Sequence, residues 1–212
     1  MSPITAITEG ARELGVEITP QQVAKLVTHL DLMDEWGERM NLTAIRDREQ
    51  QITKHVLDSL SVIPHLRGGR VADVGSGAGF PGIPLAIVMP EVQFALIEST
   101  GKKCRFLEHV RDTLELTNIE VVQSRAEAWK PAARYDTVLA RAVGPLAELA
   151  RNAGALVAGK GRLLAMKGRF PDEELARKLS GWKVVAVHRL AVPGLPEERH
   201  VVELCRSHDK SA

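Results

Sequence analysis

A chain of 212 residues, 44% hydrophobic and 26% charged, can bury one sizeable core plus an appendage. Its 28 Lys and Arg against 27 Asp and Glu leave a formal net charge of +1, which excludes a global pull towards nucleic acid, so that any RNA contact must come from a local patch. No apolar run approaches membrane-spanning length, the stretch from Met1 to Glu9 lacks the basic start and apolar middle of a signal peptide, and Cys104 and Cys205 give neither a disulfide framework nor a metal spacing, so a reduced cytoplasmic setting is expected.

Residues 19–66 read as helical. Thr19 is an N-cap with Pro20 at the first helical position, and Val23, Leu26, Val27, Leu30, Met33, Trp36 and Met40 keep helical spacing. Asn41-Leu42-Thr43-Ala44 breaks that helix. A second one carries Ile52, Val56, Leu57, Leu60 and Val62 and stops near Pro64. His55 and Asp58 sit three apart on one of its faces. Gly68-Gly69 then leads into a strand, so the chain is expected to divide into an N-terminal helical region, 1–67, and a larger domain, 68–212.

From there strand and helix alternate, which implies a mostly parallel sheet. Strands are expected over 71–74, 92–97, 119–123, 137–140 and 162–166, and helices over 81–88, 102–116, 146–156 and 172–179. Two further β-rich runs, 183–190 and 200–205, are separated by Pro193-Gly194-Leu195-Pro196, too short for a crossover helix. They form a hairpin that turns the last strand antiparallel. The expected fold is therefore α/β: a seven-stranded, mostly parallel, Rossmann-like sheet of the class I methyltransferase kind. An antiparallel C-terminal hairpin closes it, and an N-terminal helical extension precedes it.

The most informative segment joins the first strand to its helix: Val71-Ala-Asp-Val-Gly-Ser-Gly-Ala-Gly-Phe-Pro-Gly82. Glycines there admit positive φ and let a ligand approach the peptide groups. The register, Asp73 at the strand end followed by Gly75, Gly77 and Gly79, suits S-adenosylmethionine. Bulky Phe80 stands where a pyrophosphate would need bare backbone. Glu98 ends the second strand about 20 residues beyond the turn, where a carboxylate grips ribose hydroxyls.

Ligands in such sheets lie beyond the carboxyl ends of the parallel strands. That edge collects Ser124-Arg125-Ala126-Glu127 after the third strand, Arg141 after the fourth, and Lys167-Gly168-Arg169 after the fifth. The start of the antiparallel last strand, Arg199-His200, falls there too. Arg141, Lys167 and Arg199 are thus expected around one cleft and are the candidate catalytic residues, steering phosphates or holding a guanine O6. The candidate substrate-binding residues are His55, Asp58, Lys167, Arg199 and His200. Lys102, Lys103 and Arg105 read better as a solvated helix face.

Asn41-Leu-Thr, His55-Val-Leu-Asp-Ser-Leu, the glycine turn to Gly82, Gly101-Lys-Lys, Asp136 with Arg141-Ala, Lys167-Gly and Glu198-Arg-His together resemble the bacterial 16S ribosomal RNA guanine-N7 methyltransferases, the glucose-inhibited division protein B family. The resemblance runs from about Trp36 to Leu204. It implies methyl transfer from S-adenosylmethionine to one guanine of the 530 loop in small-subunit RNA. It also sets Gly75, Phe80, Ala126, Glu127 and Arg141 against the cofactor. The expected partner is 16S ribosomal RNA, or the small subunit or its precursor, with no membrane and a monomeric chain.

The residues fit that chemistry independently. Guanine N7 offers a lone pair and carries no proton, so the absence of an acid–base dyad is expected. There is no Pro-Pro loop of the amino-methylating kind, and neither cysteine is placed as a nucleophile for carbon methylation. A nicotinamide-dependent oxidoreductase shares the fold class, but no second catalytic domain is in sight. A non-enzymatic cofactor- or RNA-binding module is the other alternative.

Overall fold

Seven strands form one sheet in the order β3-β2-β1-β4-β5-β7-β6: β1 (Arg70–Val74), β2 (Gln93–Glu98), β3 (Ile119–Gln123), β4 (Tyr135–Arg141), β5 (Val157–Lys167), β6 (Trp182–Arg189) and β7 (His200–Arg206). The computed structural model describes residues 1–37, 40–142 and 144–207. β1 to β5 pair in parallel, and β7 runs antiparallel between β5 and β6. This is the sheet read from the sequence, hairpin included.

Alternation sorts the strand residues between two cores. Val71, Phe94, Leu96, Leu139, Leu164 and Val201 face one layer of helices, whereas Ala72, Ala95, Val138, Leu163 and Val202 face the other. The first layer holds α5 (Gly82–Val88), α6 (Gly101–Thr113) and the N-terminal helices, and the second holds α7 (Leu146–Ala153). The N-terminal helices therefore share an apolar core with the sheet. α2 (Pro20–Gly37) buries Val23, Leu26, Leu30 and Met33 in it. Its start is a reciprocal capping box: Gln22 N–H donates to the Thr19 hydroxyl and Thr19 N–H to the Gln22 side chain.

Two N-terminal features depart from the sequence reading. A further helix, α1 (Pro3–Glu13), precedes α2, capped by Ser2 with Pro3 at its first position. It buries only Ile7, Gly10 and Ala11, a stripe too small to register as a helical period. Gly10 lets it close on Leu57, whose side chain would meet any added Cβ. The expected second helix is a composite of α3 (Arg48–Gln51), a π-helical turn (Ile52–Leu57) and α4 (Asp58–Leu60). Such turns are rare and concentrate at functional sites; this one carries His55 and delivers Asp58 to the sheet edge.

The entry to β1 is fastened at the opposite end of the sheet. Gly69 and Arg70 N–H both donate to the Asp136 carboxylate (3.1 Å each), and Arg67 N–H donates to Thr137 Oγ1. Asp136 is thus a structural clamp on the 67–70 segment. At the other edge, the registers Arg141↔Met166 and Lys167↔His200 bring the ends of β4, β5 and β7 together. The helix expected over 172–179 forms only as α8 (Asp172–Leu175).

Candidate active site

The turn after β1 bends because Gly75, Gly77 and Gly79 take φ of 72°, 56° and 89°, a region costly for residues with a Cβ. It is braced from both sides. Gly77 N–H donates to one Glu98 carboxylate oxygen (3.1 Å), while Thr100 N–H donates to the other (2.8 Å). Gly82 N–H donates to Asp73 (3.0 Å).

Two cavities meet at Gly75. One, of about 510 Å³, is lined by Gly77, Phe80, His55, Asp58, Arg141 and Arg199, with Lys167 and His200 further along its wall. The other, of about 180 Å³, is lined by Glu98, Ser99, Ser124, Ala126, Glu127 and Asn152. The expected residues converge on these walls with two exceptions. Asp73 is fully buried beneath the turn, where burial pushes its carboxyl up to about 6 against the pull of the Gly82 N–H. A Cβ on Gly79 would run into Ile83 and lie 3.3 Å from His29 Nε2, so this glycine faces the core. Both shape the turn from behind instead of lining the cavities.

Phe80 is sandwiched between two histidine rings, His29 at 4.6 Å and His55 at 4.7 Å, with the Arg141 guanidinium 5.5 Å from its centre. His29 is fully buried and donates to the Ala78 carbonyl (2.9 Å), which fixes the far side of the turn. His55 is held by the Thr43 hydroxyl (2.9 Å), the contact that gives the Asn41-Leu-Thr segment its role. Burial lowers both imidazoles to about 4, helped at His55 by the adjacent Arg141, so both are neutral near pH 7. Among the described residues no side-chain hydrogen bond joins His55 to Asp58; Asp58 N–H donates to the His55 carbonyl in the π-helical turn, and Arg141 lies against both side chains, 3.5 Å from His55 Nδ1 and 3.2 Å from Asp58.

Asp58 organises the cations. Its carboxylate, 4% exposed, lies 3.2 Å from Arg141 Nη1 and 3.2 Å from Arg199 Nε. Arg141 also donates to the Lys54 carbonyl (2.9 Å). Burial raises the Asp58 carboxyl, opposed by the two guanidiniums. Lys167 does meet the cleft wall, but its ammonium is spent on the Gly144 carbonyl (2.8 Å) and both Glu174 oxygens (2.9 Å). It is a tie between loops more than a free cation. Glu174 also accepts from Leu146 N–H, so one carboxylate anchors α7 and β5 together. Sequence reasoning did not single out Glu174, Thr43 and Asn152, whose places depend on how distant segments pack, or Ser76, which lies within the glycine turn and donates to the Asp73 carbonyl.

The residues present fit S-adenosylmethionine. A Cβ on Gly77 would meet nothing nearer than Gly75 O at 3.8 Å, so the turn is open towards the cavities. Glu98, Ala126 and Glu127 line one cavity and Phe80 and Arg141 the other. A parallel sheet closed by an antiparallel β7, with a glycine turn after β1 and an acid ending β2, defines a Rossmann-like S-adenosylmethionine-dependent methyltransferase. A glycopeptide N-methyltransferase, MtfA, solved with S-adenosyl-L-methionine, shares this fold with a TM-score of 0.63 at 12% identity, over 84% of this chain and 96% of its own.

The chain belongs to the family described as GidB, rRNA small subunit methyltransferase G, whose model matches residues 22–202. Proteins named ribosomal RNA small subunit methyltransferase G are 44% identical to it in both Nitrosococcus oceani, over 93% of this chain and 92% of the relative, and Nitrosospira multiformis, over 98% and 99%. The oxidoreductase and non-enzymatic alternatives give way to this membership. Among the described residues no helix is long and apolar enough to cross a membrane.

Proposed function

We propose that the protein transfers a methyl group from S-adenosylmethionine to N7 of a guanine in the 530 loop of 16S ribosomal RNA. It acts in the cytoplasm as a monomer on the small subunit or its precursor. The observation that carries the reading is the pair of cavities meeting at Gly75, one beside Glu98 and the other running on to Arg141 and Arg199. Family membership supports the ribosomal substrate, and the sequence resemblance supports the base and the loop.

Gly75, Gly77, Glu98, Ala126 and Glu127 would hold the nucleoside half of the cofactor, with Phe80 and Arg141 against its methionine half. The bound cofactor supplies a methyl group already activated on a sulfonium. What remains for the protein is alignment. The neutral His55 ring and Phe80 give the cleft an uncharged floor. Guanine N7 attacks through a lone pair and loses no proton, so no residue has to act as a base. The product ring carries a positive charge, and Asp58 lies near enough to temper the two arginines around it.

The test is direct. Small-subunit particles from cells lacking the gene are incubated with protein and labelled cofactor, and the modified base is mapped by primer extension after reductive cleavage. One new stop in the 530 loop is expected. Label placed elsewhere, or in protein, refutes the proposal.

A further inference from the structure

A separate cavity of about 690 Å³ opens at the outer mouth of the cleft and shares Gly168 and Arg199 with it. Phe170 forms one wall at 45% exposure, the only aromatic ring among the exposed large hydrophobic side chains of the described residues. It is set edge-on against His200, 88° between planes and 5.4 Å between centres. That perpendicular contact leaves at least one face of the Phe170 ring uncovered by His200, and it links Phe170 to a residue lining the methyl-transfer cleft. An apolar face kept in water beside a reaction site is a cost that a ligand can remove.

The rest of the wall indicates what kind of ligand. Asp172, Glu197 and Glu198 outnumber Arg169 and Arg199 along it. Carboxylates repel a phosphate, so the wall is unsuited to nucleic-acid backbone alone. They do accept hydrogen bonds from N1–H and the N2 amino group of guanine, an edge pointing away from N7. A guanine entering this way turns its donor edge to the carboxylates and its N7 inward. To do so it must leave its neighbours in the RNA stack, and an aromatic face offsets the stacking it loses.

We propose that Phe170 is a substrate-binding residue: its ring stacks on the unstacked target guanine in this vestibule and presents N7 to the cleft at Arg141. This rests on the guanine-N7 reading above. Phe170→Ala, Phe170→Leu and Phe170→Trp are compared with the parent chain for thermal midpoint, cofactor affinity by calorimetry, and methylation kinetics on small-subunit particles. Because Phe170 is exposed and outside both cofactor cavities, all three variants are expected to fold and to bind cofactor normally. Phe170→Ala and Phe170→Leu should lose roughly tenfold to a hundredfold in kcat/KM, the range for removing one base–aromatic stack. Phe170→Trp should restore most of it. Leu working as well as Phe would reduce the residue to an apolar filler, and normal turnover in Phe170→Ala would move the base elsewhere; either overturns the stacking role. If the parent chain itself fails to methylate the particle, the functional reading falls first, and that outcome is distinguishable from one confined to the variants.

Discussion

Replacing Asp58 tests whether the cleft is held together by one buried carboxylate. Asp58→Ala leaves the Arg141 and Arg199 guanidiniums facing each other without the anion that lies 3.2 Å from each. Removing one partner of a buried pair costs ~3–5 kcal/mol. Two features reduce that here. Both arginine side chains keep 22% of their surface in solvent, and each retains a backbone carbonyl, of Lys54 or Glu198. Relief of the Asp58 burial offsets a further part. About 1–3 kcal/mol remains, which lowers the melting midpoint of a chain this size by roughly 3–10 °C. Asp58→Asn keeps the shape and one acceptor but not the charge. It should unfold less readily than Asp58→Ala, yet still lose about tenfold or more in methylation, since ~1.4 kcal/mol of lost arginine positioning is tenfold. Burial raises the Asp58 carboxyl, so acidifying the parent chain should bring its activity towards that of Asp58→Asn. Thermal unfolding and methyl incorporation over a pH series provide the measurements. An Asp58→Asn protein that melts and methylates like the parent would show that the carboxylate does not position the arginines.

Gly77→Val puts a branched Cβ at φ 56°, which strains the turn although no neighbouring atom clashes with it, so the turn should shift and cofactor titration should show loss of binding; wild-type affinity in a variant whose thermal unfolding shows it folded would refute the glycine-turn assignment. Glu98→Ala leaves Gly77 and Thr100 N–H without their acceptor and should weaken cofactor binding by ~1–3 kcal/mol, read as a dissociation constant. Lys167→Ala should destabilise the α7–α8 side without reducing the salt dependence of RNA binding, because the ammonium is already neutralised by Glu174; a slope falling by about one unit would show that it contacts phosphate. His29 titrates at about 4 in the fold against 6.5 when exposed, so its contribution is complete above pH 6.5 and drains away as pH falls towards 4. Asp73, raised to about 6, acts in the opposite sense over part of that window. His29→Phe should therefore flatten the acid loss of stability by up to ~3 kcal/mol, and an unchanged denaturation profile between pH 4 and 6.5 would contradict the burial argument.

The sheet was legible because its signals are local. Apolar runs, the glycine turn and the short 193–196 connection each specify one element, and strand direction then assigns Arg141, Lys167, Arg199 and His200 to one edge. What those cations do there was not legible. The tie between Lys167 and Glu174 spans two elements, and the Asp58 bridge joins a helix to β4 and the segment before β7. No spacing announces either. Asp73 and Gly79 illustrate the same limit at shorter range: the motif groups them with Gly75 and Gly77, yet one side of the turn faces the cleft and the other the core. α1 escaped notice because small residues at 10 and 11 bury it through close approach, without the large apolar stripe that periodicity detects.

A cleft that pairs its own charges makes a poor trap for phosphate. Asp58 takes up Arg141 and Arg199, Glu174 takes up Lys167, and Glu197 takes up Lys54 at 2.9 Å. With a net charge of +1 the chain as a whole does not draw RNA in from a distance. Affinity for backbone alone would hold every structured RNA equally and would hinder release. The reaction itself asks for little: a lone pair, an activated methyl, and a line between them. Selectivity then has to come from which guanine can leave its stack and fit between the glycine turn, the arginines and the outer wall. Such a guanine must already be exposed at the surface of a folded particle. Faster methylation of the small subunit than of its naked RNA is the expected outcome, and equal rates on the two would refute it.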